Sequence, residues 1–355
     1  MTVDIFGYWL GAFGFAQHTR QFSAALAQLD QVSAVPWDTA LNSSATAASR
    51  TDADAAIGIG PIPHMIHVSG KRRIGFVVWE TTTVPSQLVR ILQELDEVWT
   101  PSHWGRRLLL ENCMNRDRVH VVPEGVDPSF FRPVSPAEDH MQRPFRFLCV
   151  GKWEVRKGIA DLALAFAREF RSEEPVELIL HCYNPNLPES DIDEALRALN
   201  LPRHAPIRPS SGPLPLSALA ALYRECDVLV QPTKAEGWGL PILEALACGI
   251  PAIATNYSAH TDFLNDANGY LVDVARMVEV DDPFFYKLGG PFGAWAQPDL
   301  DHLQVLMRRS FENPAERREK GAQGRRDVLE RWTWKDAAAI AHCRLHGIST
   351  HIAQE

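Results

Sequence analysis

The chain has 355 residues, a length that suits two domains of ordinary size. At 46% hydrophobic and 22% charged it can bury real cores, which excludes a disordered protein. A net charge of −9 gives a nucleic-acid binder no electrostatic footprint, so no nucleic acid is expected as a partner.

TVDIFGYW reads as a first strand, and MTVDIFGYWLGAFGF lacks the basic start and cleavage site of a signal peptide. GYWLGAFGFAQHTRQF, residues 7–22, places glycines, Gly14 among them, between that strand and a first helix. Such a loop suits a phosphate that approaches the backbone. It also resembles a weak dinucleotide fingerprint, with Asp38 at a distance that suits a ribose contact. Further strands are expected at VSAVPW, AAIGIG, RRIGFVVWE, DEVWTPS and RVHVVPEG, and helices at PSQLVRILQEL and WGRRLLLENCM. Strands alternating with helices argue for a parallel sheet. Within this half, His64 and His67 lack an obvious third metal ligand. Glu80 and Thr81, in WETT at a strand end, either face an acceptor or cap a loop. Trp104, Arg106 and Arg107 beside Leu108 to Leu110 read either as a peripheral membrane contact or as a packed helix with two solvated arginines. The Pro-rich DPSFFRPVSPAEDHMQRP, residues 127–144, is the best linker candidate.

A second α/β series follows. FRFLCVG is a strand, GIADLALAFAREF a helix and VELILHCY a strand. VGKWEVRKG, residues 150–158, crowds Lys152, Arg156 and Lys157 into the loop after the first of these strands. An anion such as a diphosphate gives three cations there a reason, through charge-assisted hydrogen bonds. Asp191-Ile-Asp193 spells a metal-binding Asp-x-Asp but reads better, with Ser190, as an acidic helix start. After the helix LSALAALYRECD comes DVLVQP, a short buried strand, and then PTKAEGWGLPILEALACGIPAIAT, residues 232–255. Pro241 suits the first turn of a helix, Gly249 its C-terminal end, and Pro251 stops it. Glu236 therefore lies on a loop at the carboxyl end of a strand and Glu244 in the first turn of the next helix, with seven residues between them. That edge is where open α/β sheets bind ligands, and Gly237 and Gly239 let backbone come close. Three helices close the chain at HLQVLMRRSF, ERREKGAQGRRDVLERW and WKDAAAIAHCRL. Two doubly wound domains facing a cleft is the expected architecture. Cys113, Cys149, Cys182, Cys226, Cys248 and Cys343 form no CxxC pair or zinc spacing and read as buried thiols of a reducing compartment. No run approaches ~20 apolar residues, so no spanning helix is expected. The location expected is cytoplasmic, at most peripheral at the inner face of a membrane. No feature selects an oligomeric state.

The segment holding Glu236 and Glu244 resembles the C-terminal signature of the retaining nucleotide-sugar glycosyltransferases of family 4, which have the GT-B fold. VGKWEVRKG, VVPEGVDPSFF, YSAHTDFL with NGYLV, and ERWTWKDAAA resemble further blocks of that family. The resemblance covers most of residues 119–339 and is loose from about 24 to 74. It departs at Lys152, where the family has arginine, at Ala16, where it has a second glycine, and at Glu124, where it has asparagine. The resemblance implies a GT-B architecture of two Rossmann-like domains. Residues 1–143 would be the acceptor side and 144–335 the nucleotide-sugar domain, with a last helix, about 336–355, packed back on the first. It implies transfer of a hexose-type sugar, with retention, from a UDP-sugar or GDP-sugar to a hydroxyl of a glycan, lipid-linked or protein-linked acceptor. No metal and no cofactor beyond the sugar donor are implied. Glu236, Lys157 and Lys152 would be catalytic. Glu244, Gly237, Trp238, Gly239, Leu240, Arg156 and Gly14 would hold the donor, Glu244 through its ribose. Glu80 and Thr81 would lie on the acceptor side. The rival expectations are a nicotinamide-dependent oxidoreductase, resting on Gly14 and Asp38, and a catalytically silent GT-B binding subunit.

Overall fold

The computed structural model of the protein describes residues 1–11, 13–37, 52–134, 143–182, 184, 192–202, 206–282, 286 and 290–348. The chain forms two compact units. The first is Met1–Asp127 with Phe284–Gly293 and Arg331–Glu355, and the second is Pro128–Pro283 with Ala294–Glu330.

In the first unit, β1 (Thr2–Gly7), α1 (Gly14–Leu26), β2 (Gln31–Pro36), β3 (Ala55–Ile59), β4 (Arg73–Phe76), α2 (Ser86–Gln93), β5 (Glu97–Thr100), α3 (His103–Glu111) and β6 (Val119–Val121) alternate along the chain. The strands form one parallel sheet in the order β2-β1-β3-β4-β5-β6. β3 is buried at every residue, as a strand covered on both faces requires, whereas the edge strand β2 is mostly exposed.

The second unit runs β7 (Phe145–Gly151), α4 (Ile159–Glu169), β8 (Val176–Cys182), α5 (Ile192–Ala198), β9 (Ile207–Ser210), α6 (Leu216–Arg224), β10 (Val228–Gln231), α7 (Leu240–Ala247), β11 (Ala252–Thr255) and β12 (Gly269–Val272). Its sheet is parallel, in the order β12-β11-β10-β7-β8-β9. An antiparallel pair, β13 (Val274–Glu279) with β14 (Ala294–Pro298), follows, then α8 (Leu300–Glu312) and α9 (Pro314–Arg331). Phe147, Phe166, Phe170 and Leu178 lead a core that Leu303 and Met307 of α8 complete.

The last helix, α10 (Trp334–Leu345), belongs to the first unit and packs on α1. Thr333 and Asp336 close a capping box at its start, which satisfies two of its first N–H groups. Gly125 lies so close to this turn that a Cβ there would sit 2.3 Å from the Trp334 nitrogen. Thus two segments far apart in sequence, VVPEGVD and ERWTWKD, meet through the Val126 N–H donating to the Trp332 carbonyl at 3.0 Å. Four strands, β9, β12, β13 and β14, were not expected from the sequence. β9 is short and contains Arg208 and Pro209, while β13 and β14 bracket the excursion 284–293 into the first unit.

Candidate active site of the second unit

The second sheet changes direction between its two central strands. From β7 the chain winds outward to β8 and β9, and from β10 it winds the other way to β11 and β12. Two loops diverge at the carboxyl ends of such neighbours and leave a crevice that binds ligands. Here they are the basic loop after β7 and the Glu236 loop after β10. They are stitched together: the Lys234 N–H donates to the Arg156 carbonyl at 2.7 Å, and the Thr233 hydroxyl donates to the same carbonyl at 3.3 Å. Gly158 makes the approach possible. Its φ is +65°, and a Cβ there would meet the Pro232 carbonyl oxygen at 2.4 Å.

The charges at this junction answer one another. Lys157 Nζ donates to both oxygens of Glu236, at 2.7 and 3.0 Å, and Arg156 donates to Glu236 Oε2 at 3.2 Å. Arg156 also donates to the Ala235 carbonyl at 2.7 Å and to Glu154 at 3.4 Å. Lys152 Nζ lies 2.8 Å from Glu154, with about a third of its side chain exposed. Burial alone would raise the Glu236 carboxyl, but the charges of Lys157 and Arg156 more than offset it and hold it at about 2. Glu154 is likewise pushed up by burial and held below the ordinary range by Arg156 and Lys152. Glu236 is therefore a permanent carboxylate, unsuited to donating a proton. The sequence reading gave the three cations an external anion as their reason. The structure corrects this in part, because Glu154 and Glu236 compensate two of three charges and leave one net positive.

The backbone of Glu236 is held as firmly as its side chain. Its N–H donates to Ser258 Oγ at 2.8 Å and its carbonyl accepts from the Ala259 N–H at 3.2 Å. Ser258 pays a conformational cost for this, with φ +72° and ψ −158°, a region that residues with a Cβ rarely enter. His260, fully buried beside it, binds the Thr255 carbonyl through Nε2 at 2.6 Å. Burial lowers its pKa and favours the neutral ring, though the Thr255 bond and Glu236 oppose that.

The other expected donor residues divide by exposure. Gly237, Trp238 and Gly239 are buried and Leu240 is half-buried at the start of α7. The Trp238 ring packs on Phe263 at 4.9 Å and belongs to the core. Gly239 has φ +107°, which explains the second glycine of Gly-Trp-Gly. Glu244 is buried, and its Oε2 accepts from Tyr223 of α6 at 2.8 Å. Burial and the Glu244 charge push the Tyr223 phenol well above its ordinary range. Glu154, Ser258, His260 and Tyr223 were missed by sequence reasoning. Glu154 carried a signal, as the only acid inside the basic loop.

Residues expected on the first unit lie at a different kind of edge. Gly14 begins α1, is exposed, and has nothing within 4 Å of an added Cβ. The glycine with positive φ in that loop is Gly11, at +94°. Glu80 accepts from the Tyr286 hydroxyl at 3.1 Å, and the neighbouring Trp79 stacks with Phe292 at 6.2 Å. Thr81 is fully buried and its hydroxyl donates to the Thr83 carbonyl at 3.0 Å, which shapes the loop. Trp104, Leu108 and Leu109 are buried, which agrees with the reading of α3 as a packed helix. His64 packs against Trp37 and Tyr8. Cys113 is exposed and Cys343 half-buried, which corrects the expectation that all six thiols are buried. Asp38, Ser190 and Asp191 lie outside the described residues, and Asp193 is exposed in the first turn of α5. Among the described residues no helix is long and apolar enough to cross a membrane.

Two Rossmann-like sheets of this topology define a GT-B protein. The solved sucrose-phosphate synthase of Thermosynechococcus elongatus shares the fold at a TM-score of 0.73, covering 98% of each chain at 17% identity. Anabaena HepE, solved in complex with UDP-glucose, does so at 0.74, covering 98% of this chain and 100% of that one at 11% identity. Residues 144–280 match the family described as Glycosyl transferases group 1. The MMP alpha-(1->4)-mannosyltransferase of Mycolicibacterium hassiacum is 29% identical over 253 residues, which is 70% of this chain and 54% of the relative. A D-inositol 3-phosphate glycosyltransferase of Acidothermus cellulolyticus is 28% identical over 261 residues, 68% of this chain and 55% of the relative. The chain thus spans about half the length of these curated relatives.

Proposed function

We propose that the protein is a retaining, metal-independent glycosyltransferase that moves a hexose-type sugar from a nucleotide-diphosphate donor to an acceptor hydroxyl. The observation that carries the proposal is the Glu236 carboxylate clamped by Lys157 and Arg156 at the switch point between β7 and β10. Breaking a glycosyl–phosphate bond puts negative charge on the diphosphate and positive charge on the anomeric carbon. Lys152, Lys157, Arg156 and the backbone turn at Gly237–Gly239 would receive the first, and the ionised Glu236 would lie by the second. A carboxylate already accepting three hydrogen bonds from cations is a poor nucleophile. Acceptor attack from the leaving-group face, with a diphosphate oxygen taking the acceptor proton, therefore suits this site better than a covalent intermediate. Glu244, whose Oε2 accepts from Tyr223, would take the ribose hydroxyls.

The relatives' activities support this class, and the solved complex of HepE with UDP-glucose supports a UDP-sugar over a GDP-sugar as the first donor to try. On the acceptor side, Glu80 and the Trp79–Phe292 pair offer a carboxylate beside stacked rings, a combination that suits a saccharide. The reading as a nicotinamide-dependent oxidoreductase has no support in the relatives.

Calorimetry with UDP, GDP, ADP and dTDP, followed by a transfer assay with the matching sugar donor in EDTA, tests the proposal. Binding of one diphosphate and transfer that survives EDTA are expected. Absence of binding at millimolar nucleotide, or activity that returns only with magnesium or manganese, would sink it.

A further inference from the structure

At the end of the first unit, two imidazoles and a carboxylate converge far along the chain from the residues assigned above. His342 and His346 are one turn apart at the C-terminal end of α10 and its cap, so they share a face. Their ring centroids lie 4.3 Å apart. Both rings point at Asp30, which sits between α1 and β2. His342 Nδ1 lies 2.7 Å from Asp30 Oδ2, and His346 Nε2 lies 2.8 Å from Asp30 Oδ1. The three donor atoms fall within 4.8 Å of one another.

We infer that Asp30, His342 and His346 form a binding site for a divalent transition-metal cation of the zinc class. Two neutral imidazoles and one carboxylate are a donor set that such ions take, with water completing the shell. Zinc holds nitrogen and oxygen donors at about 2.0–2.2 Å, which places tetrahedral donors about 3.3 Å apart. The two contacts to Asp30, at 2.7 and 2.8 Å, would open by about half an ångström, and the three donor atoms, all within 4.8 Å of one another, are close enough for ring rotations to bring them to that spacing. Burial is arranged for the purpose. The Asp30 side chain is fully covered, while His342 and His346 keep 28% and 31% of theirs exposed, so the anion is fixed and the entry side is open. A bound ion would pin α10 to the α1–β2 turn, holding together the two ends of the first unit's chain. It would stabilise the fold by mass action without taking part in transfer.

The test is a zinc titration of the full chain after EDTA treatment and dialysis, followed by calorimetry and by melting temperature, with cobalt absorption as a second probe. One equivalent is expected to bind and to raise the melting temperature. Loss of a ligand should weaken that binding about tenfold or more in His346→Gln and in His342→Gln. His346→Gln changes an exposed side chain, so it remains informative if His342→Gln folds poorly. Donor binding and transfer should be unchanged in His346→Gln. No heat and no melting shift with zinc, or zinc binding that persists unaltered in His346→Gln, would overturn the site.

Discussion

At the switch point of the second unit the carboxyl edge carries Lys152, Glu154, Arg156, Lys157 and Glu236, all engaged with one another. At the switch point of the first unit, between β1 and β3, the same edge carries rings: Tyr8 packs on Phe13 at 5.3 Å and on His64 at 5.9 Å, and Trp37 on His64 at 5.4 Å. Beside it, after β4, Trp79 meets Phe292 and Tyr286. Equivalent positions in two similar sheets have therefore been given opposite chemistry. A charged edge works at short range and needs each group fixed, which explains the buried ion pairs, the close glycine and the strained Ser258. An aromatic edge offers faces, which tolerate more variation in what lies against them. The proposed roles follow: the fixed edge suits the invariant diphosphate of a donor, the aromatic edge a saccharide acceptor.

The largest effect that would break this contrast is expected at Glu236. Glu236→Gln should lower turnover by about 10²–10³, the scale of one lost electrostatic contact in a transition state. Nucleotide-diphosphate affinity should hold or improve, because Lys157 and Arg156 lose a competing anion. Steady-state kinetics alongside calorimetry reads both, on variants matched by circular dichroism. Full turnover in Glu236→Gln would reduce the charged edge to a structural ion cluster.

Acid titration separates the edges by stability. The Glu236 carboxyl stands at about 2 in the fold against an ordinary 4.5. A depressed carboxylate contributes stability that is complete above its unfolded value and lost as pH falls from there toward its folded value. Between about pH 5 and about pH 2 the native chain should lose roughly 3 kcal/mol more than Glu236→Gln does. Urea unfolding at several acid pH values measures this difference. The comparison with the variant is needed because Glu154 and Asp30 also titrate low. Identical acid profiles would mean that the clamp contributes no net stability.

Backbone space comes next. Gly158→Ala would force a Cβ against the Pro232 carbonyl oxygen at 2.4 Å from a left-handed backbone, and both the clash and the strain act on the seam between the two loops. A loss of about 2 kcal/mol or more is expected, with weaker donor binding. Chemical denaturation reads the first and calorimetry the second. A stable Gly158→Ala with native affinity would show that the loops do not need their close approach.

Much of this was legible in the sequence, but unevenly. Lys157 and Glu236 could be placed at strand ends because FRFLCVG and DVLVQP read plainly as buried strands. That they touch could not be read, since β7 and β10 are neighbours only through a topology that reverses direction. For the same reason Ser258 went unnoticed, because it matters through Glu236 on another loop, whereas Glu154 pairs with Lys152 and Arg156 of its own loop. Trp238 was placed among the donor residues by resemblance alone, and no local pattern told that its ring would pack on Phe263. On the first unit, Tyr286 and Phe292 reach the β4 edge from an excursion between β13 and β14, and no local pattern announces such a return.

Gly14 is the smallest effect and the sharpest test of the comparison. Motif spacing singled it out, yet the fold does not require it. It is exposed, an added Cβ would meet nothing within 4 Å, and the positive φ of that loop belongs to Gly11. Gly14→Ala should therefore change stability by no more than about 0.5 kcal/mol, with the small benefit of alanine at a helix start acting in its favour. A glycine that the protein itself does not need is one that only a ligand can need. If the start of α1 approaches the donor, the added methyl group should raise the KM for the sugar nucleotide several-fold at unchanged melting temperature. That outcome would give the first unit's edge a share of the donor and blur the division between charged and aromatic edges. An unchanged KM in Gly14→Ala, with stability also unchanged, would remove Gly14 from the donor site and leave the first edge to the acceptor alone.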